Sequence, residues 1–143
     1  MLKPTNTNYL FKFSIVTAVY NVAPYLSEAI DSILSQDIGF LESVELILVN
    51  DGSTDASGAI CDEYQHKYPE NIVVIHKPNG GVASARNAGI AVARGRYVNF
   101  MDSDDKLTPD TLSSVYDFFI EHDKEVDLVS VPIFYFEQKN EPH

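Results

Sequence analysis

The sequence predicts an α/β fold, a mostly parallel sheet with helices on both faces, of the kind that ends in a ligand crevice. Three observations carry this. Apolar, β-branched runs recur at 13–20, 44–50, 71–76, 96–102 and 127–136. Continuous runs of this type belong to strands buried on both faces, the habit of parallel sheets. The segments between them are long enough for a helix, so the connections read as βαβ crossovers rather than hairpins. Finally, polar, acidic and glycine residues collect directly after the first, second and fourth runs, where a parallel sheet binds its ligands.

In chain order, FSIVTAVY at 13–20 is a buried strand, and Pro24 suits the first turn of the helix that follows. Leu26, Ile30, Ile33 and Leu34 recur at helical spacing up to residue 36. VELILVN at 44–50 leads into DGSTDASGAICDEYQHKY, where Thr54 or Asp55 is placed to cap a helix carrying Ile60, Cys61 and Tyr64. NIVVIH at 71–76 precedes the turn Lys77-Pro78-Asn79-Gly80-Gly81. The small-residue helix 82–94 is expected to close on Gly95 as its C′ residue. RYVNFMD at 96–102 is a fourth strand ending in acids. Thr108 is expected to cap, and Pro109 to start, a helix ending near His122. DLVSVPIFYF at 127–136 reads as a fifth strand, with Pro132 at an edge or bulge. Residues 1–12 form an N-terminal extension and 13–143 one domain.

Composition narrows the function. The formal net charge is −11 with no run of Lys or Arg, which argues against nucleic acid, since a phosphate backbone is held by clustered cations. A nucleotide diphosphate would need help from a metal ion. No apolar run approaches the ~18 residues that cross a bilayer, and the N-terminus lacks a secretory pattern. The expectation is a cytoplasmic protein, with peripheral contact at the inner face of the membrane left open. The single cysteine, Cys61, excludes an internal disulfide and a cysteine metal cluster, and reads as a packing residue.

The sharpest local signal is Asp102-Ser103-Asp104-Asp105. In an extended segment Asp102 and Asp104 point to one side, where two carboxylates repel unless a cation lies between them. Hard oxygen ligands favour Mg²⁺ or Mn²⁺. A solvated loop is the plainer alternative; a calcium loop fits poorly, because Lys106 and Leu107 occupy positions needing a ligand and a glycine. Asp51 ends the second strand, where a carboxylate can accept a hydrogen bond from a base or ribose, although Asp-Gly is also a common turn. Gly80 and Gly81 let backbone N–H groups at a helix start approach an anion. Arg86, one turn further on, suits a phosphate or simply solvent. Tyr20 can stack on a base or serve as a rim tyrosine. No Walker loop or dinucleotide fingerprint occurs, and His66, His76 and His122 lack metal-ligand spacing.

In this order, SIVTAVYNVAPYLSEAIDSILSQ, VELILVNDGSTDASGAI and NGGVASARNAGIAVARGRYVNFMDSDD resemble the large inverting glycosyltransferase family numbered two, which has the GT-A fold, over residues 13 to 131. The resemblance implies a nucleotide-sugar donor, most often a UDP-sugar, and a divalent cation, Mn²⁺ or Mg²⁺. It places Ala18 and Tyr20, with Asn21 beside them, at the base pocket, Asp51 on the base, and Arg86 near base or phosphates. Asp102 contacts ribose or a metal-bound water, Asp104 ligates the ion through the diphosphate, and Ser103 and Asp105 complete the motif, Asp105 toward sugar hydroxyls. Ala18 departs from the Pro or Thr of many relatives. The implied reaction is sugar transfer with inversion to an acceptor hydroxyl, glycan or lipid-linked, in bacterial surface polysaccharide or cell-wall glycopolymer synthesis. The family's general base lies after the fifth strand, beyond His143, so these residues are expected to bind donor without completing the transfer. A degenerate sugar-binding module remains an alternative. A sugar nucleotidyltransferase is disfavoured because TAVYNVAPYL holds no glycine, Arg or Lys, and a receiver domain because no acidic pair follows the first strand.

Overall fold

The structure, a computed structural model, describes residues 9–122 and 124–125. The elements run β1 (Phe11–Val19), α1 (Ala23–Leu34), α2 (Phe40–Ser43), β2 (Val44–Asp51), α3 (Ser57–Lys67), β3 (Ile72–Lys77), α4 (Val82–Val92), β4 (Gly95–Phe100) and α5 (Thr111–Glu121). The four strands form one parallel sheet in the order β3-β2-β1-β4, with Ile15 opposite Leu46 and Asn99, and Ile47 opposite Val73. The expected fifth strand at 127–136 lies outside the described residues.

The alternation of strand side chains sorts the core into two layers. Phe13, Ile15 and Val19 of β1 and Leu46 and Leu48 of β2 pack with Leu26, Ile30 and Ile33 of α1, Cys61 of α3 and Leu112 of α5. Val16, Ile47 and Val49 face the other way, onto Ala85 of α4. Every residue of β2 is buried, as a central parallel strand with both faces covered requires. The two layers follow from handedness. The steps β1→β2→β3 move in one direction across the sheet, whereas the step β3→β4 returns past β2 and β1. Right-handed crossovers therefore put α4 on the face opposite α1 and α3. The reversal falls between β1 and β4, and opens a crevice at their carboxyl ends.

Several boundaries differ from the sequence reading. β1 begins at Phe11, inside the expected extension, because Phe11 pairs with Gly95 of β4. Gly95 does not cap α4; that helix ends at Val92 and Ala93 turns extended. Gly95 is instead the first residue of β4, and a Cβ there would run into the backbone of Phe13 and Ser14. The need for glycine is close strand approach rather than a left-handed cap. Likewise α5 starts at Thr111, with Thr108 and Pro109 in the turn before it. The hydroxyl of Thr108 is committed to Asp110 and Thr111 side chains, and the Pro109 carbonyl accepts from Asp37 N–H at 2.8 Å. Cys61 is fully buried, and burial, with Asp62 nearby, pushes its thiol up to about 12, consistent with an inert packing residue. Among the described residues no helix is long and apolar enough to cross a membrane.

Candidate functional site

The loops after β1 and β2 are stitched together before either reaches a ligand. Asn21 sits at φ 50, a left-handed conformation that Asn tolerates better than most side chains. Its Oδ1 accepts Thr54 N–H at 2.8 Å and Asp55 N–H at 3.3 Å, while its own N–H donates to Ser53 Oγ at 3.1 Å. Asp55 serves two helix starts, accepting from Ser57 N–H at 2.9 Å and from Ala23 N–H at 3.1 Å. The Ser57 hydroxyl and N–H hold the Asp55 carboxyl below its ordinary value. Neither expected cap of α3 holds: the N-cap is Ala56, with no side-chain cap bond, and Asp55 acts from one residue before it, through Ser57 N–H. Asn21 thus spends its amide on this seam rather than on the crevice.

Asp51, at the end of β2, faces the turn after β3. Its Oδ1 accepts from Lys77 Nζ and from Gly80 N–H, both at 2.9 Å, and its Oδ2 accepts from Gly81 N–H at 3.0 Å. The Lys77 ammonium first, then the two glycine N–H groups, hold its carboxyl below the ordinary value of 3.8, against the opposing effect of burial. Gly52 lets the two loops meet: its φ is +77, and a Cβ there would stand 2.7 Å from Asn79 N. Asn79 Nδ2 donates back to the Asp51 carbonyl at 3.1 Å. Behind Asp51, Asn50 Nδ2 lies 3.0 Å from His76 Nδ1, whose Nε2 lies 2.8 Å from Asp62. This arrangement has Nδ1 accept and Nε2–H donate. His76, dismissed by spacing, braces the strand end.

After β4 the chain does not stay extended. Residues 103 and 104 form a turn, closed by Asp105 N–H donating to the Asp102 carbonyl at 3.1 Å. Simple alternation is therefore not what gathers the acids. The turn brings one carboxylate oxygen each of Asp102, Asp104 and Asp105 within 4.8 Å of one another. Burial, and then the charges of Asp104 and Asp102, push the Asp105 carboxyl above its ordinary value. Arg86 Nη2 lies 3.2 Å from Asp102 Oδ1, with its guanidinium over the Phe100 ring. Three hard oxygen donors carrying excess negative charge are the chemistry a small divalent cation satisfies.

These loops border a cavity of about 340 Å³, within the range of small-ligand sites. Ala18, Tyr20, Asp51, Gly81, Asp102, Ser103 and Asp104 line it, as the sequence singled out. Gly80, Arg86 and Asp105 stand behind the lining and touch Asp51 or Asp102 through the contacts above, whereas Asn21, expected at the base pocket, bonds only the loop after β2. Val22, Asn79 and Val82 also line it; Asn79 stands in the turn that the sequence adds to this rim, while Val22 and Val82 carried no signal. Lys77 was read only as part of a turn.

This geometry agrees with the protein's relatives. Residues 14–143 match the family model described as Glycosyl transferase family 2, and the chain belongs to that family. It is 50% identical over 136 residues to the minor teichoic acid biosynthesis protein GgaB of Bacillus subtilis, covering 95% of this chain and 15% of GgaB. It is 41% identical to GgaA of the same organism, covering 92% of this chain and 30% of that one. The crystal structure of S. aureus TarS 1–349 in complex with UDP superposes with a TM-score of 0.72 at 31% identity, over 90% of this chain and 40% of TarS 1–349. The fold is the GT-A type. The chain spans less than a third of the length of these two curated relatives.

Proposed function

We propose that this chain forms the donor-binding part of a glycosyltransferase that takes a sugar from a nucleotide-sugar, a UDP-sugar in the first instance, for cell-wall glycopolymer synthesis. The observation that carries this is the cavity at the β1/β4 crevice, with Asp51 at one end and the acidic turn at the other. A nucleoside diphosphate is a base and a diphosphate joined by a ribose, and the two ends of the site suit those two parts. TarS, a structural relative, is known in complex with UDP and with UDP-GlcNAc, which supports the choice of base. Two relatives act in minor teichoic acid biosynthesis, which supports the class of product.

Tyr20, half exposed beside Ala18, offers a ring face to the base. Asp51 accepts a hydrogen bond from a base N–H. Ser103 and Gly81 line the same cavity. Asp102, Asp104 and Asp105 would hold Mn²⁺ or Mg²⁺, which supplies charge neutralisation for the departing diphosphate. A cation on Asp102 would compete with the Arg86 guanidinium now 3.2 Å from that carboxylate, and Arg86 would then be available to a phosphate oxygen. A transfer of this kind inverts the anomeric carbon and needs a base to deprotonate the acceptor hydroxyl. We place that base, and the acceptor site, outside residues 9–125. A lipid-linked or glycan acceptor would be met in the cytoplasm at the inner face of the membrane.

Calorimetric titration with UDP tests the reading. Affinity should be present with Mn²⁺ and fall by about tenfold or more with a chelator, a difference of about 1.4 kcal/mol. The double variant Asp102→Ala/Asp104→Ala should behave like the chelated wild type even with Mn²⁺ present. Mn²⁺-assisted UDP affinity left unchanged in that variant would refute the proposal.

A further inference from the structure

Among the charged groups around the site, Lys77 has no part in the reading above, yet it is the cation nearest the base end. Its Nζ lies 2.9 Å from Asp51 Oδ1 and 2.8 Å from the Pro78 carbonyl. The ammonium thus ties the end of β2 to the turn after β3. Both partners are shielded, with 19% of the Lys77 side chain and 5% of the Asp51 side chain accessible, so the pair is not a solvated surface contact. Gly80 leaves the space it uses: a Cβ there would stand 2.9 Å from Nζ.

The consequence lies in the count of lone pairs. A carboxylate offers about four acceptor positions. Two on Oδ1 are taken by Lys77 and Gly80 N–H, and one on Oδ2 by Gly81 N–H. The position left is on Oδ2, and Asp51 borders the cavity. Resting on the reading of this cavity as a nucleotide site, we infer that Lys77 is a positioning residue that makes Asp51 a one-position, acceptor-only probe for a base carrying a ring N–H. Without Lys77, Oδ1 keeps a vacant position and the carboxylate gains a second orientation. A base with N3–H, such as uracil, is then selected less sharply over one whose N3 carries no hydrogen.

The test compares UDP with UDP methylated at N3, titrated in Mn²⁺ against the full chain. The wild type should prefer UDP by about tenfold, the discrimination expected of one hydrogen bond to a charged acceptor. Lys77→Met and Lys77→Gln should lower UDP affinity and bring that preference to about twofold or less, while Lys77→Arg restores most of it. Asp51→Ala should abolish the preference. A merely structural role for Lys77 would weaken both nucleotides equally, so a preference kept in Lys77→Met and Lys77→Gln but lost in Asp51→Ala overturns this inference alone. No preference in the wild type, or a preference that survives Asp51→Ala, overturns the base-reading role of Asp51 and the inference with it.

Discussion

At the amino end of β2, Glu45 is fully buried. It accepts from Ser14 Oγ at 2.7 Å, Arg94 N–H at 2.8 Å and Arg94 Nε at 2.8 Å. At the carboxyl end of the same strand, Asp51 is nearly as buried and also takes three donors, one of them from a cation. By burial and hydrogen bonding alone the two acids are equivalents. Their partners separate them. Those of Glu45 come from β1 and from the residue leading into β4, and Gly95 N–H donates to Ser14 Oγ at 2.7 Å. The cluster locks three neighbouring strands at the rim away from the crevice. The partners of Asp51 come from the end of β3 and the turn after it, and the group they orient borders the cavity. A satisfied buried carboxylate is therefore not a mark of a site. Its place relative to strand direction is, because loops free to diverge and enclose a ligand emerge only from the carboxyl ends at the reversal of strand order.

Substitutions at the two rims should separate stability from binding. The largest effect is expected at the scaffold end. Glu45→Ala should cost about 3 kcal/mol of unfolding free energy, the low end for breaking a buried pair because Arg94 keeps access to water. Urea denaturation measures it, and UDP affinity of the folded protein should stay within about twofold because the sites are far apart. Equal losses in stability and affinity would erase the distinction between the rims. Gly52→Ala comes next, at about 2 kcal/mol, since its φ of +77 disfavours a Cβ that would also meet Asn79 N. This change should weaken UDP as well, because it pries apart the two loops that hold Asp51.

The acidic turn should show the reverse pattern. Asp102→Ala with Asp104→Ala should remove the metal-assisted part of UDP affinity, about tenfold or more, yet change the unfolding free energy measured in urea by less than about 0.5 kcal/mol, as exposed positions do. The smallest effect is in the pH dependence. The Asp51 carboxyl is held below its unfolded value, so its contribution to stability is complete above the ordinary 3.8 and lost as pH falls through the lowered folded value. Asp51→Asn should flatten the acid limb of melting temperature against pH. A limb of unchanged steepness would mean that other acids govern it.

Much of this was written along the chain. Four strands and the helices between them follow from apolar runs and helical spacing, with boundaries shifted by a residue or two. Tyr20, Asp51, Asp102, Ser103 and Asp104 follow from standing at strand ends and Gly81 from the turn after β3, while Ala18 came only with the family resemblance. Gly95 was misread because a glycine after a helix has two uses, a left-handed cap or a close strand approach, and only the neighbouring strand distinguishes them. Glu45 passed unnoticed inside an apolar run because its partners, Ser14 and Arg94, lie 31 and 49 residues away.

Local periodicity and residue type thus determined the element order, the parallel sheet and the acids at its carboxyl rim. A local turn after β4 gathers three of those acids, whereas the tertiary structure decided that Asn21 and Asp55 knit two loops and that Lys77 clamps Asp51. These depend on strand register and crossover hand, which bring together residues 26 to 34 positions apart. No pattern confined to neighbouring residues encodes such distances, because periodicity reports which face a side chain takes and not what stands opposite it.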